Sequence, residues 1–288
     1  MSSWRAQPEV RPEVVPPVVD ARWLREHRGA VVVLQVDDDA TPYHAGHLPG
    51  ALPLSTYDDL HERVRRGPVS LQGFERLMSA MGVGVDDHVV LCSAGSPSHA
   101  AYAFWVMRLY GHRRLSLLDG GVPAWTAAGG ALDDNPVVVA AADYRSPGRD
   151  GSIVVGRDEL LARYVGAPDP VLILDCRTEG EFEGRVQHQL DVAAERHRVP
   201  GHIPGSRNLP SSEVLEGRSF APLGRLRTLF ADRGLTPASD LVVYCRVADR
   251  SSLLWFVAAE VLRHPRVRHY VGGWAEYGSL VDVPVELH

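Results

Sequence analysis

The 288-residue sequence predicts an α/β protein of two similar halves, each a mainly parallel sheet flanked by helices. Three observations carry that prediction. The first is a repeat: GHLPGA at 46–51 returns as GHIPGS at 201–206, 155 residues later, VVLCS at 89–93 returns as VVYCR at 242–246 after 153, and Gly120-Gly121 returns as Gly272-Gly273 after 152. Three matches in one order at nearly one spacing mark a tandem duplication. The second is a set of Val-, Leu- and Ile-rich runs at 31–34, 89–91, 171–174 and 241–244, which read as strands buried on both faces. The third is the amphipathic segments between them, whose apolar residues recur at helical spacing.

Taken in order, residues 1–17 are rich in Pro and Glu and are expected to form a flexible extension. A first domain is expected over 18–140, with the strand VVVLQVDD at 31–38, the helical segment LQGFERLMSAMGV, the strand VVLCS and the helical segment SHAAYAFWVMRLYG. A linker is expected over 141–152, within DDNPVVVAAADYRSPGRDG, and a second domain over 153–288. Its first strand, VLILDCRT at 171–178, lies only 140 residues from its counterpart when Asp175 is set against Gln35. The second half therefore carries an insertion of about 15 residues near 185–199, expected as a surface loop. Two further helical segments follow, RLRTLFADRG and SSLLWFVAAEVLRH. In the latter, Leu254, Val257, Ala258, Val261 and Leu262 share one face, and Ser251 or Ser252 is placed to cap its start.

Composition narrows the chemistry. A 45% hydrophobic, 23% charged chain is the mixture of a globular protein, and no apolar stretch approaches the roughly 20 residues of a membrane span. The first residues carry Pro and Glu where a signal peptide has an apolar run, so a cytoplasmic location without membrane contact is expected. A net charge of −6 with no basic tail offers no nucleic-acid footprint. Cys92, Cys176 and Cys245 show neither CxxC pairing nor metal-ligand spacing, so neither a disulfide scaffold nor a metal site is expected. All 30 basic side chains are arginine, which excludes a Schiff-base or P-loop lysine. No cofactor is expected.

Cys245 is where the chemistry concentrates. It ends an apolar strand and opens the turn YCRVADRSS into a helix, and in an open parallel sheet ligands bind at the carboxyl ends of strands. A helix N-terminus, loop amides and the flanking Arg246 and Arg250 all favour thiolate over thiol, so a lowered Cys245 pKa is expected. The first half is an internal control: where the second has Cys245, Arg246 and Arg250, it has Ser93, Ala94 and Ser98. Cys92 corresponds to Tyr244, one step along the strand and so on the opposite face, and both Cys92 and Cys176 read as packing thiols.

The two α/β halves, the GHIPG turn, the strand ending VVYCR and the late GGW together resemble the tandem-domain rhodanese family of sulfurtransferases, over nearly the whole chain. The resemblance implies a catalytic second domain and a non-catalytic first one. It implies that Cys245 is the nucleophile of a six-residue loop whose other members, Arg246, Val247, Ala248, Asp249 and Arg250, bind an anionic donor. A persulfide would form on Cys245 and pass to a thiol, cyanide or a protein thiol. Arg directly after the cysteine is similar to thiosulfate-type enzymes, whereas mercaptopyruvate-type relatives usually have Gly there. Asp175 and Arg177 match the family's strand-end acid and arginine, an ion pair supporting the loop with Ser251. His202 reads as structural, because His47 recurs in the silent half. Ala248 stands where the family usually has Gly, and a positive φ there costs alanine about 1–2 kcal/mol. Glu181 replaces a donor-binding arginine of some thiosulfate enzymes.

Other readings remain open at this point: a 3-mercaptopyruvate donor, a persulfide carrier that turns over little, or a phosphatase-like Cys-x5-Arg loop, in which Arg250 arrives one residue early. The large two-domain chain is expected to act as a monomer.

Overall fold

The first apolar run of each half becomes an inner strand of a parallel sheet, because a run apolar on both faces is stable only between two layers of helices. The computed structural model describes residues 15–62, 64, 67–167, 171–186 and 199–287. The first half contains β1 (Val18–Val19), α1 (Ala21–His27), β2 (Val32–Asp37), α2 (Thr41–Ala45), β3 (Leu52–Ser55), α3 (Leu71–Ala80), β4 (Val89–Cys92), α4 (Pro97–Leu109), β5 (Leu115–Leu118) and α5 (Gly121–Ala127). Its five strands are parallel in the order β1-β5-β4-β2-β3. The second half contains α6 (Arg157–Arg163), β6 (Val171–Asp175), α7 (Glu179–Phe182), β7 (Arg207–Asn208), β8 (Leu215–Glu216), β9 (Ser219–Phe220), α8 (Leu223–Asp232), β10 (Asp240–Tyr244), α9 (Asp249–Phe256), β11 (Val267–His269) and α10 (Gly273–Tyr277). Its parallel sheet runs β11-β10-β6-β7, and β8 and β9 form a separate hairpin.

The chain engages the fold at Pro16, whose carbonyl accepts from the Ser116 hydroxyl, while that of Pro17 accepts from Leu117 N–H at 2.8 Å. Most of the expected N-terminal extension, residues 1–14, and most of the expected insertion, residues 187–198, lie outside the described residues. The segment joining the halves is held against the first one. Ala142 N–H donates to Ser79 O at 2.9 Å, and the buried Tyr144 hydroxyl lies 3.0 Å from His112 Nδ1.

The halves share one core, in which α4 packs along α9. Phe104 meets Phe256 edge to face at 4.9 Å, and Arg108 forks onto Glu260 at 2.8 and 3.2 Å. Aromatic contacts and a half-buried ion pair on the seam fix how the first half covers the second.

Helix α9 begins earlier than the serine-cap signal implies. Its N-cap is Ala248, at φ 92° and ψ −31°, and Ser251 and Ser252 lie in the first turn with hydroxyls 3.0 and 2.9 Å from the Ala248 carbonyl oxygen. A left-handed residue turns the chain tightly enough to start the helix at Asp249, which leaves both serines inside it.

Candidate active site

The last β10–β6 pair is Tyr244 with Asp175, and Cys176 N–H extends the ladder to Tyr244 O at 2.9 Å. Side chains alternate along a strand, so Leu241, Val243 and Cys245 share a face with Leu172, Leu174 and Cys176, all in the core common to both halves. Tyr244 points the other way, where its hydroxyl accepts from Ile203 N–H of the GHIPG turn at 3.1 Å. Cys92 also packs on that opposite face of its own sheet. All three cysteines are free and buried.

The turn after Cys245 is gripped from behind. Trp274 N–H donates to Cys245 O at 2.8 Å and Ala275 N–H to Arg246 O at 3.0 Å. Gly273 has φ 55°, and a Cβ there would come within 2.6 Å of both carbonyl oxygens. The GGW signal therefore marks close backbone approach, which only glycine allows.

Around the sulfur, the Ser251 hydroxyl lies at 3.3 Å and Asp249 Oδ1 at 3.7 Å. Ser251 Oγ is also 2.6 Å from His269 Nε2 on β11. Burial, then the Asp249 carboxylate, push the Cys245 thiol above its ordinary pKa, while Arg250 and the Ser251 O–H and N–H pull it down without overcoming them. The sequence-based expectation of a lowered pKa is thus corrected. The helix terminus and arginines are present, but the sulfur is fully desolvated and shares the loop with an acid.

Arg250 does not stand open toward a donor. Its guanidinium forks onto Glu181 of α7, at 2.7 and 3.0 Å. Burial opposes the charge of Glu181, yet Arg250 and the Thr178 capping box hold its carboxyl at about 2. Glu181, met in the sequence as a missing arginine, is thus the counter-ion of Arg250. Arg246 is the half-buried cation of the loop, disfavoured by desolvation and then by the charge of Arg250, so an arriving anion would relieve both. Asp249 faces the sulfur and would repel an anionic donor, contrary to its expected donor-binding role. Ala248 is fully buried and offers its carbonyl to Ser251 and Ser252. Val247 lines a cleft of about 890 Å³ between the halves, together with Tyr57, His61, Trp105, Tyr270 and Glu276.

Asp175 and Arg177 form the buried base of the site. Arg177 Nη2 meets Asp175 Oδ2 at 2.6 Å and Gly201 O at 2.7 Å, and its guanidinium carbon lies 4.6 Å from the Trp274 ring centre. The pair ties the end of β6 to both the GHIPG turn and α10. His202 stacks on Phe182 at 3.7 Å and His47 on Tyr43 at 3.9 Å, the same packing role in each half.

Three neighbours escaped the sequence reading. His269 had no local signal, being a single histidine in a strand. Tyr57 comes from the first half, and burial, then the charges of Asp249, Asp38 and Cys245, push its hydroxyl up to about 12. Asp37 fills the first half's own loop, its Oδ1 accepting from the Ser93 hydroxyl at 2.7 Å and from Ala94 and Gly95 N–H at 3.0 and 2.8 Å.

Comparisons with known proteins bear on the family and the fold. A Mycobacterium bovis protein provisionally named thiosulfate sulfurtransferase 1 is 38% identical over 273 residues, 94% of this chain and 97% of its own. The sulfur carrier protein TtuD of Thermus thermophilus is 36% identical over 278 residues, covering 95% and 96%. Among solved structures, the 3-mercaptopyruvate sulfurtransferase SseA of Escherichia coli superposes with a TM-score of 0.76 at 22% identity, over 90% of this chain and 99% of that one. An anaerobic ergothioneine biosynthesis enzyme from Chlorobium limicola does so with a TM-score of 0.82 at 21% identity, over 97% and 72%. The rhodanese-like domain family matches residues 16–128 and again 157–280, one match for each half of the duplication, and the chain belongs to that family.

Proposed function

We propose that this sulfurtransferase takes the outer sulfur of thiosulfate onto Cys245 and hands it to a thiophilic acceptor. The observation that carries the reading is the asymmetry of the two loops. Only the second presents a sulfur, with cations beside it, where the first holds its own carboxylate. The Cys245 thiolate attacks the sulfane sulfur, the S–S bond of thiosulfate breaks, and sulfite leaves with the bonding pair. The acceptor then attacks the terminal sulfur of the persulfide and the Cys245 thiolate returns. Ser251 O–H and N–H stabilise the anionic sulfur at both stages, and Arg246 draws the donor's sulfonate. Asp175 and Arg177 position the loop. No described helix is long and apolar enough to cross a membrane, and three free buried thiols suit a reducing compartment, so action in the cytoplasm belongs to the same reading.

The likeness to TtuD supports a second reading, in which the persulfide is held for one protein acceptor. One experiment separates them. Incubation with thiosulfate should add one sulfur to the intact mass, cyanide should discharge it as thiocyanate, and Cys245→Ser should reduce both to background. Loading without discharge selects the carrier, and absence of loading overturns thiosulfate as donor.

A further inference from the structure

Ser251 Oγ stands between three groups: the Cys245 sulfur at 3.3 Å, the Ala248 carbonyl oxygen at 3.0 Å and His269 Nε2 at 2.6 Å. It has one hydrogen to give, so the state of His269 decides where that hydrogen goes. His269 is fully buried, and desolvation lowers its pKa to about 3, so the ring is neutral near neutral pH and carries its proton on one nitrogen. Nδ1 has no hydrogen-bond partner among the described residues. A proton placed there would leave a buried donor unmade, while a bare Nδ1 leaves only an acceptor, the less costly omission. Beside the ring, Trp105 of the first half stands edge-on at 4.8 Å and holds it in place.

We propose that His269 is a positioning residue for Cys245: its Nε2–H donates to Ser251 Oγ, and the Ser251 hydroxyl thereby donates to the sulfur in its anionic thiolate and persulfide forms. With Nε2–H occupying an acceptor site on Oγ, the hydroxyl cannot turn toward His269. The choice left is the sulfur or the neutral Ala248 oxygen, and a charged acceptor wins. Oriented in this way, the relay sets a donor against the burial and the Asp249 carboxylate that otherwise disfavour the anion. The other groups on the sulfur's surroundings are Arg250 of α9, itself bound to Glu181 of α7, Cys176 beyond β6, Arg246 of the loop and Tyr57 of the first half. None of them occupies Ser251 Oγ.

The inference rests on Cys245 being the nucleophile of the proposed transfer, so its test reads the thiol itself. The rate of alkylation by iodoacetamide is followed against pH in the full chain, with Cys245→Ser giving the background from Cys92 and Cys176. His269→Val should raise the midpoint by about one unit, roughly tenfold slower alkylation at neutral pH. Ser251→Ala should match it, the double variant should add little because both act through one chain of bonds, and His269→Gln, which keeps an N–H, should recover most of the rate. A wild-type profile in folded His269→Val, or additive shifts, overturns the relay. Imidazole nitrogen chemical shifts of the unaltered protein decide independently of any variant's folding: Nε2–H supports the assignment and Nδ1–H overturns it. The raised midpoints in His269→Val and Ser251→Ala together with failure to load sulfur from thiosulfate would retain the relay and discard the donor.

Discussion

The two halves build the same loop with opposite electrical contents. In the first, the loop amides of Ala94 and Gly95 and the Ser93 hydroxyl converge on Asp37, and Gly121, at φ 60°, leaves room for Val122 N–H to grip Ser93 O at 3.0 Å. In the second, Gly273, at φ 55°, leaves room for Trp274 N–H to grip Cys245 O in the same way, but the position matching Asp37 is Arg177, turned back onto Asp175 where the first half has Gln35. The first half thus fills its loop with a carboxylate, while the second ties its strand-end carboxylate to a cation and sets a buried sulfur at the start of the loop. Backbone N–H groups at a strand-to-helix turn favour an anion wherever they occur. The two loops differ in what the chain sets against those groups: the Asp37 carboxylate in the first, and the Cys245 sulfur with Asp249 beside it in the second.

The largest way to break the contrast is at its buried pair. Arg177→Ala leaves Asp175 charged and without its main counter-ion, which costs about 3–5 kcal/mol, so the thermal midpoint should fall by roughly 10 °C. Sulfur loading should fall with it, since the pair ties β6 to the GHIPG turn and α10. Calorimetry and the intact-mass assay check both; an unchanged midpoint would remove the pair from its bracing role. Asp37→Ala sharpens the contrast from the other side. The Ser93 hydroxyl, the Ala94 and Gly95 amides and Gln35 Nε2 lose their shared acceptor, for about 2 kcal/mol, yet loading on Cys245 should be unchanged. Added sulfate should restore part of the lost midpoint in this variant and not in the parent, because it can reoccupy the emptied loop.

These contrasts also mark the reach of the sequence. The duplication, the parallel strands, the Cys245 turn and the Asp175–Arg177 pair were legible because each shows in the sequence itself: a repeat, an apolar run, a strand end, two residues two positions apart. Asp37 against Ser93, Arg250 against Glu181 and Ser251 against His269 join residues 56, 69 and 18 positions apart. Neither periodicity nor turn chemistry registers such pairings, which exist only once β2 lies beside β4 in the first half and α7, α9 and β11 meet in the second. The same limit misled the thiol's predicted acidity. Arg246 and Arg250 are visible in the sequence, but the desolvation of the sulfur and the capture of Arg250 by an acid are not.

Glu181→Gln should act on donor binding and on acid stability together. With its partner neutral, Arg250 is freer to meet an anion, so the KM for thiosulfate should fall severalfold while kcat changes less. Glu181 titrates near 2 in the folded chain, below the usual value of about 4.3 for a free glutamate. Its contribution to stability is therefore complete above that usual value and lost as pH falls toward 2. Relative to the parent, the variant should be less stable at neutral pH, and the difference should close between about pH 4.5 and 2 in unfolding curves followed by circular dichroism. A gap that stays constant through that window would mean the fork contributes through packing alone.

The smallest change tests what curls the second loop. At the helix N-cap the first half has Ser96, extended at φ −97° with its side chain accepting from Ser98 N–H, whereas the second has Ala248 at φ 92°. An ordinary serine cap starts α4; a left-handed residue starts α9 and turns Ser251 toward the sulfur. For alanine that conformation costs about 1–2 kcal/mol. Glycine would relieve it but lose about 0.5–1 kcal/mol to chain entropy and about 0.8 kcal/mol with the buried methyl. Ala248→Gly should therefore shift stability by less than about 1 kcal/mol and leave the loading rate within about twofold. Ala248→Val should not: a β-branched side chain at positive φ is a far worse fit, so the cap should relax toward the extended form of Ser96 and loading should drop while the sheet survives. If valine loads sulfur as fast as glycine, the left-handed cap is not what distinguishes the two loops, and the distinction reduces to the cysteine and its charges.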